Sequence, residues 1–170
     1  ARDEHAEALI KAACLEVRPP FSLIETMRFE HGAVVRLDRH LGRLRASASF
    51  LGFPCDPARV RATLEAHVSS FGPAPRRVRL VLSPQGYSAV QSEPLEASSH
   101  EAQTIALASD PVDSRARFLC HKTTRRDVYD RHRAAHPDVF DVLLWNERGE
   151  VTEFTRGNVV VELDGARYTP

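Results

Sequence analysis

The sequence predicts an α+β protein of two unequal lobes, and three observations carry that prediction. Arg77 to Ser83 alternates charged and aliphatic residues, the mark of a half-buried strand. Leu37, Leu41, Leu44, Ala48 and Leu51 recur at helical spacing. After residue 112 the pattern changes to short apolar runs separated by turn residues, which reads as a second, strand-rich region.

Taken in order, Glu4 to Val17 reads as a lead-in helix, with Leu9, Ile10, Ala13 and Cys14 on one stripe and Pro19-Pro20 as its stop. Phe21 to Phe29 and Ala33 to Leu37 are expected strands, joined at His31-Gly32 into a hairpin. Arg39 to Leu51 is an amphipathic helix with Asp38 as its N-cap, His40, Arg43 and Ser47 on the polar face, and Gly52 and Pro54 at its close. A second helix, Pro57 to Phe71, starts behind Asp56 and stops at Gly72-Pro73. Arg77 to Ser83, Ser88 to Leu95 and Thr104 to Ser109 complete a mostly antiparallel sheet. Phe118 to His121 reads as a strand end and Thr123 to Ala135 as a helix. Phe140 to Asn146, Val151 to Phe154, Asn158 to Leu163 and Ala166 to Tyr168 read as a β-meander with turns at Glu147-Arg148-Gly149 and Asp164-Gly165. The expected organisation is a lead-in at 1–18, a small α+β domain at 19–112 and the first part of a second domain at 113–170.

Length and charge bound the function. A chain of 170 residues suffices for one full core, or for one domain and part of another. Its 23 basic and 23 acidic residues cancel, so no global field favours nucleic acid or an anionic membrane. No apolar run approaches the roughly 20 residues of a spanning helix, and no signal segment opens the chain, so a cytosolic location is expected. Cys14, Cys55 and Cys120 are widely spread, which suggests neither a disulfide framework nor a zinc site. Cys120 is expected to be a small buried thiol rather than a nucleophile.

Lys122 is one of only two lysines in a chain rich in arginine. A primary amine forms a Schiff base with an aldehyde cofactor, and a guanidinium does not. Position alone leaves two readings, a solvated surface lysine or a reactive amine at a turn. Glu153, 31 residues later, is either a turn glutamate or a carboxylate that keeps a cofactor pyridine nitrogen protonated. Arg43 is either a solvated helix arginine or a phosphate clamp.

The blocks Leu23-Ile24-Glu25-Thr26-Met27-Arg28, Leu37-Asp38-Arg39-His40-Leu41-Gly42-Arg43-Leu44, His121-Lys122-Thr123-Thr124, Asp141 to Asn146 and Val151-Thr152-Glu153 with Asn158 stand in the order of the class IV pyridoxal-phosphate aminotransferase signatures. The chain resembles that family from Phe21 to Pro170. Within it, the Glu-Thr-Met-Arg strand, His-Lys-Thr-Thr and Glu-Phe-Thr-Arg-Gly-Asn are most similar to the 4-amino-4-deoxychorismate lyase domain fused to component I of aminodeoxychorismate synthase. Residues 1–17 are similar to the tail of that component.

The resemblance implies fold type IV, with a smaller α/β lobe and part of a β-rich cofactor lobe, and pyridoxal 5'-phosphate as cofactor. It implies that Lys122 forms the Schiff base and moves protons, with Thr26 beside it in the catalytic set. It gives Arg43 to the phosphate, Glu153 to the pyridine nitrogen, and Thr155 and Asn158 to the cofactor. Arg28 and Arg156 are the expected substrate contacts. It further implies a small-molecule substrate, a homodimer and a fused or associated synthase component. The implied reaction is elimination to 4-aminobenzoate and pyruvate in folate biosynthesis. The alternatives are a branched-chain or D-amino-acid aminotransferase, or a remnant that binds a partner without cofactor. The chain departs from the family at Phe154-Thr155-Arg156-Gly157, where relatives carry small hydroxyl residues, and at Arg125-Arg126, where lyase-like chains carry Asn-Arg. The family also continues past Thr169-Pro170 into a loop and helix that bind phosphate, so the 170 residues are expected to bind the cofactor weakly or not at all.

Overall fold

The computed structural model describes residues 20–96 and 101–170. The expected lead-in helix and its domain lie outside the described residues. Two compact units emerge among the described residues: the first runs to Glu96 and takes in Lys122–Thr124, and the second holds 101–121 and 125–170. No helix among the described residues is long and apolar enough to cross a membrane.

In the first unit a four-stranded sheet has the order β2-β1-β3-β4, all antiparallel. Its strands are β1 (Leu23–Glu30), β2 (Ala33–Val34), β3 (Arg76–Leu82) and β4 (Ser88–Pro94). The hairpin expected at His31-Gly32 forms, both residues taking positive φ (52° and 77°) as a tight two-residue turn requires. The strand after it is shorter than expected, because Leu37 already opens helix α1 (Leu37–Leu51). Asp38 is not its cap. Arg36, left-handed at φ 56°, holds that place without a side-chain bond, and Asp38 pairs with Arg61 from the first turn. Gly52, at φ 71°, closes the helix as expected. Helix α2 (Pro57–Val68) starts where Asp56 accepts the N–H groups of Ala58 (3.0 Å) and Arg59 (3.2 Å), and it ends before the expected Phe71.

Alternation along β1 and β3 puts Leu23, Met27, Phe29, Val78, Leu80 and Leu82 on one face. They pack with Leu41, Leu44 and Ala48 of α1 and Val60 and Leu64 of α2 into the first core. Ile24, Thr26 and Arg28 share the opposite face with Arg77, Arg79 and Val81, their register partners on β3.

The second unit departs further from expectation. Strand β5 (Ile105–Leu107) does not extend the antiparallel sheet; it runs parallel to β6 (Asp141–Trp145), which pairs antiparallel with β7 (Val151–Phe154). The boundary expected at 112/113 therefore moves ahead of β5. Phe118 to His121 is not a strand end, since Arg117–Cys120 makes one helical turn, α3. The following helix, α4, spans Asp127–Ala134 rather than starting at Thr123. The meander is broken as well: β8 (Val161–Leu163) and β9 (Ala166–Tyr168) form a hairpin of their own. Ala108, Val112, Tyr129, Val142 and Leu144 make a smaller core. Cys120, expected buried, is exposed.

Candidate active site

Lys122 owes its position to backbone pairing. Lys122–Thr124 runs antiparallel to the start of β1: the Ile24 N–H donates to the Lys122 carbonyl (2.9 Å) and the Thr124 N–H to the Ser22 carbonyl (2.8 Å). The Ser22 N–H donates in turn to Thr124 Oγ1 (2.9 Å). Leu23 and Thr123 are bridge partners and both are buried, so Thr123 shares the core face of β1. Lys122, opposite Ile24, is thereby placed on the other face, the one that carries Thr26 and Arg28. Thr26 stands two residues along from Ile24, about 7 Å. Three of the expected residues thus share one sheet face.

Arg79 joins them, half-buried and directly paired with Thr26. Its sequence signal is an arginine at an alternating position of β3, which marks the row opposite the core. Arg28 pairs with Glu30, and Arg77 with Glu93 at 2.7 Å.

Arg43 lies on the core side of β1. Its Nε donates to Glu25 Oε1 at 2.7 Å and its Nη2 to Glu25 Oε2, while His40 Nδ1 meets Oε2 at 2.8 Å. The polar helix face expected to meet solvent is therefore turned onto a carboxylate only 1% exposed, and Ser47 is buried with it. The charge-assisted bond to Glu25 pushes the guanidinium above its ordinary value. Arg43 is half exposed, and its Nη1 makes no hydrogen bond among the described residues. A carboxylate in the apolar series Leu23, Glu25, Met27, Phe29 was the sequence signal for this network.

Glu153, Thr155, Arg156 and Asn158 belong to the second unit. Glu153 on β7 accepts the Tyr129 hydroxyl at 3.0 Å. The Thr155 hydroxyl donates to Asp141 Oδ1, and Asp141 Oδ2 accepts the N–H groups of Arg156 (3.2 Å) and Gly157 (2.8 Å). Burial alone would raise the Asp141 carboxyl, but these donors and the Val142 N–H outweigh it and hold it below its ordinary value. The Arg156 and Asn158 side chains are exposed on the loop that this anchor shapes.

Taken unit by unit, the donors suit pyridoxal phosphate. The first unit holds a primary amine fixed by its backbone and, on the other side of β1, a guanidinium with Nη1 to spare for a phosphate oxygen. The second holds a carboxylate that accepts from a phenol.

Residues 22–170 match the family described as amino-transferase class IV. A Schizosaccharomyces pombe protein, provisionally described as an aminodeoxychorismate lyase, is 32% identical over 155 residues, covering 88% of this chain and 66% of the relative. The chain thus spans about two thirds of the length of the curated relative it matches. A crystal structure from Mesorhizobium loti, provisionally described as an amino-acid aminotransferase, superposes with a TM-score of 0.79 at 39% identity, over 88% of this chain and 74% of that one. A structure provisionally described as a 4-amino-4-deoxychorismate lyase gives a TM-score of 0.70 at 26% identity, over 92% and 66% of the two chains. Match and fold agree with the signature blocks: the chain belongs to the amino-transferase class IV family.

Proposed function

We propose that this chain carries the lysine-bearing part of a pyridoxal-phosphate-dependent 4-amino-4-deoxychorismate lyase. The observation that supports it most is the register of Lys122, whose backbone is bonded to β1 so that its amine shares a face with Thr26, Arg28 and Arg79. When bound, the cofactor supplies an electron sink conjugated to the substrate's amino group. Lys122 Nζ then takes the proton from the ring carbon that bears this group. As the ring becomes aromatic and its C–O bond breaks, the same Nζ returns the proton to the methylene carbon of the departing enolpyruvyl group, releasing pyruvate. Arg28 and Arg79 suit a substrate with two carboxylates, and Thr26 offers a hydroxyl between them and the lysine. Arg156 is a further candidate for a carboxylate.

The test supplies pyridoxal phosphate and 4-amino-4-deoxychorismate without any keto acid. Equal amounts of 4-aminobenzoate and pyruvate are expected, and Lys122→Ala should lower the rate by about 10³-fold or more. A rate untouched by Lys122→Ala, or no 4-aminobenzoate at all, overturns the reading.

A second reading, an amino-acid aminotransferase, is favoured by the 39% identity to the Mesorhizobium loti structure. It requires amino transfer that depends on an added keto acid. The proposal includes a homodimer, with the exposed Val161, Leu163 and Tyr168 of the β8–β9 hairpin as apolar surface to be covered. A monomer by light scattering at micromolar concentration would remove that part.

A further inference from the structure

Tyr129 is held on every side. Its ring sits in the second core at 7% exposure, with Ala108, Val112, Val142 and Leu144. The Arg126 guanidinium stacks over the ring at 4.3 Å and also donates to the Thr155 carbonyl, so helix α4 is tied to the segment directly after β7. With the ring fixed, its hydroxyl meets Glu153 Oε1 at 3.0 Å.

Burial first, then the charge of Glu153 and the bond to it, push the Tyr129 phenol well above its ordinary value, with the Cys120 thiol adding in the same direction and Arg126 opposing. The hydroxyl is therefore a donor at any working pH. A donor to a carboxylate drains its charge and weakens it as a base. A carboxylate beside a pyridine nitrogen shares one proton with it, and partial burial favours the neutral pair, in which the carboxylate holds the proton. A hydrogen bond to the carboxylate tips that proton back to the nitrogen.

We propose that Tyr129 is a positioning residue for Glu153, fixing its carboxylate and keeping it the anionic partner so that the cofactor's ring nitrogen retains the proton. The proposal rests on the reading that Glu153 meets that nitrogen. Nothing in it depends on whether elimination or amino transfer follows.

The experiment has a cofactor-free arm and a loaded arm, both on the full chain. Tyr87→Phe with Tyr168→Phe leaves Tyr129 as the sole phenol among the three tyrosines. Ultraviolet titration should then show Glu153→Gln bringing the Tyr129 midpoint down, and an unmoved midpoint overturns the proposal. In the second arm, pyridoxal phosphate labelled with ¹⁵N in the ring reports protonation by its resonance. The native protein should give the pyridinium signal, and Glu153→Gln should lose it. Tyr129→Phe, which keeps the ring under Arg126 and hence the fold, should shift the proton-sharing equilibrium toward the carboxylate by about tenfold, the worth of one hydrogen bond to a charged group. A Tyr129→Phe signal like the native one, with Glu153→Gln still effective, overturns the proposal and leaves the functional reading standing. Insensitivity of the native signal to Glu153→Gln, or the lack of a pyridinium signal, overturns both.

Discussion

Glu25 and Asp141 are both carboxylates withdrawn from solvent, at 1% and 2% exposure, and the two units satisfy them by opposite means. Glu25 is met by two side chains, the Arg43 guanidinium and the His40 imidazole. Asp141 is met by a hydroxyl and backbone N–H groups, with its nearest cation, Arg133, 3.8 Å away. The difference lies in what each anion organises. A carboxylate that gathers guanidinium and imidazole decides where two side chains stand. One that gathers N–H groups from Thr155's neighbours decides where the main chain goes, and so where Arg156 and Asn158 emerge.

The contrast predicts unequal costs. Asp141→Ala leaves the Thr155 hydroxyl and the Gly157 and Arg156 N–H groups without their acceptor, and should destabilise the second unit by about 3 kcal/mol in urea unfolding. The acid response should follow it. Because the folded Asp141 carboxyl sits below its unfolded value, its stabilisation is complete above about pH 4, the ordinary aspartate value, and is lost as pH falls through the folded value. Asp141→Asn should flatten that limb; an equally steep loss in the variant would show that other groups carry it.

Glu25→Gln should cost less, about 1 to 2 kcal/mol, because the amide still accepts one bond and water reaches the half-exposed Arg43. A cost above that of Asp141→Ala would reverse the comparison. Asp56 sharpens it further: like Asp141 it accepts backbone N–H groups, two of them against Asp141's three, but from the surface. Asp56→Ala should cost only about 1 kcal/mol, the usual worth of a helix cap. Parity between Asp56→Ala and Asp141→Ala would mean that burial adds nothing to such a bond.

The first unit was legible because its periods are clean. The 3.6 spacing of Leu37 to Leu51 and the alternation of Arg77 to Ser83 name both element and face, and Lys122 stands out by chemistry alone. Alternation marks a strand without naming its neighbour, so β5 was placed in the wrong sheet; its parallel partner lies more than thirty residues on. Thr123 and Thr124 read as helix because their local sequence permits it, and only β1 makes them extended. Tyr129 and Asp141 looked like ordinary members of a helix and a strand end, since their bonding arises from residues far along the chain.

The chain leaves the first unit at Glu96, builds β5 and α3, and returns for Lys122–Thr124 before finishing the second. Lys122 is thus encoded among one unit's codons and seated by the other's strand. A genetic exchange joining one homologue's residues 1–96 to another's remainder would deliver an imported lysine onto a native β1. Shuffling the lobes therefore tests whether Ser22, Leu23 and Ile24 accept a foreign partner, and a chimera can lose its amine's register while both cores remain intact.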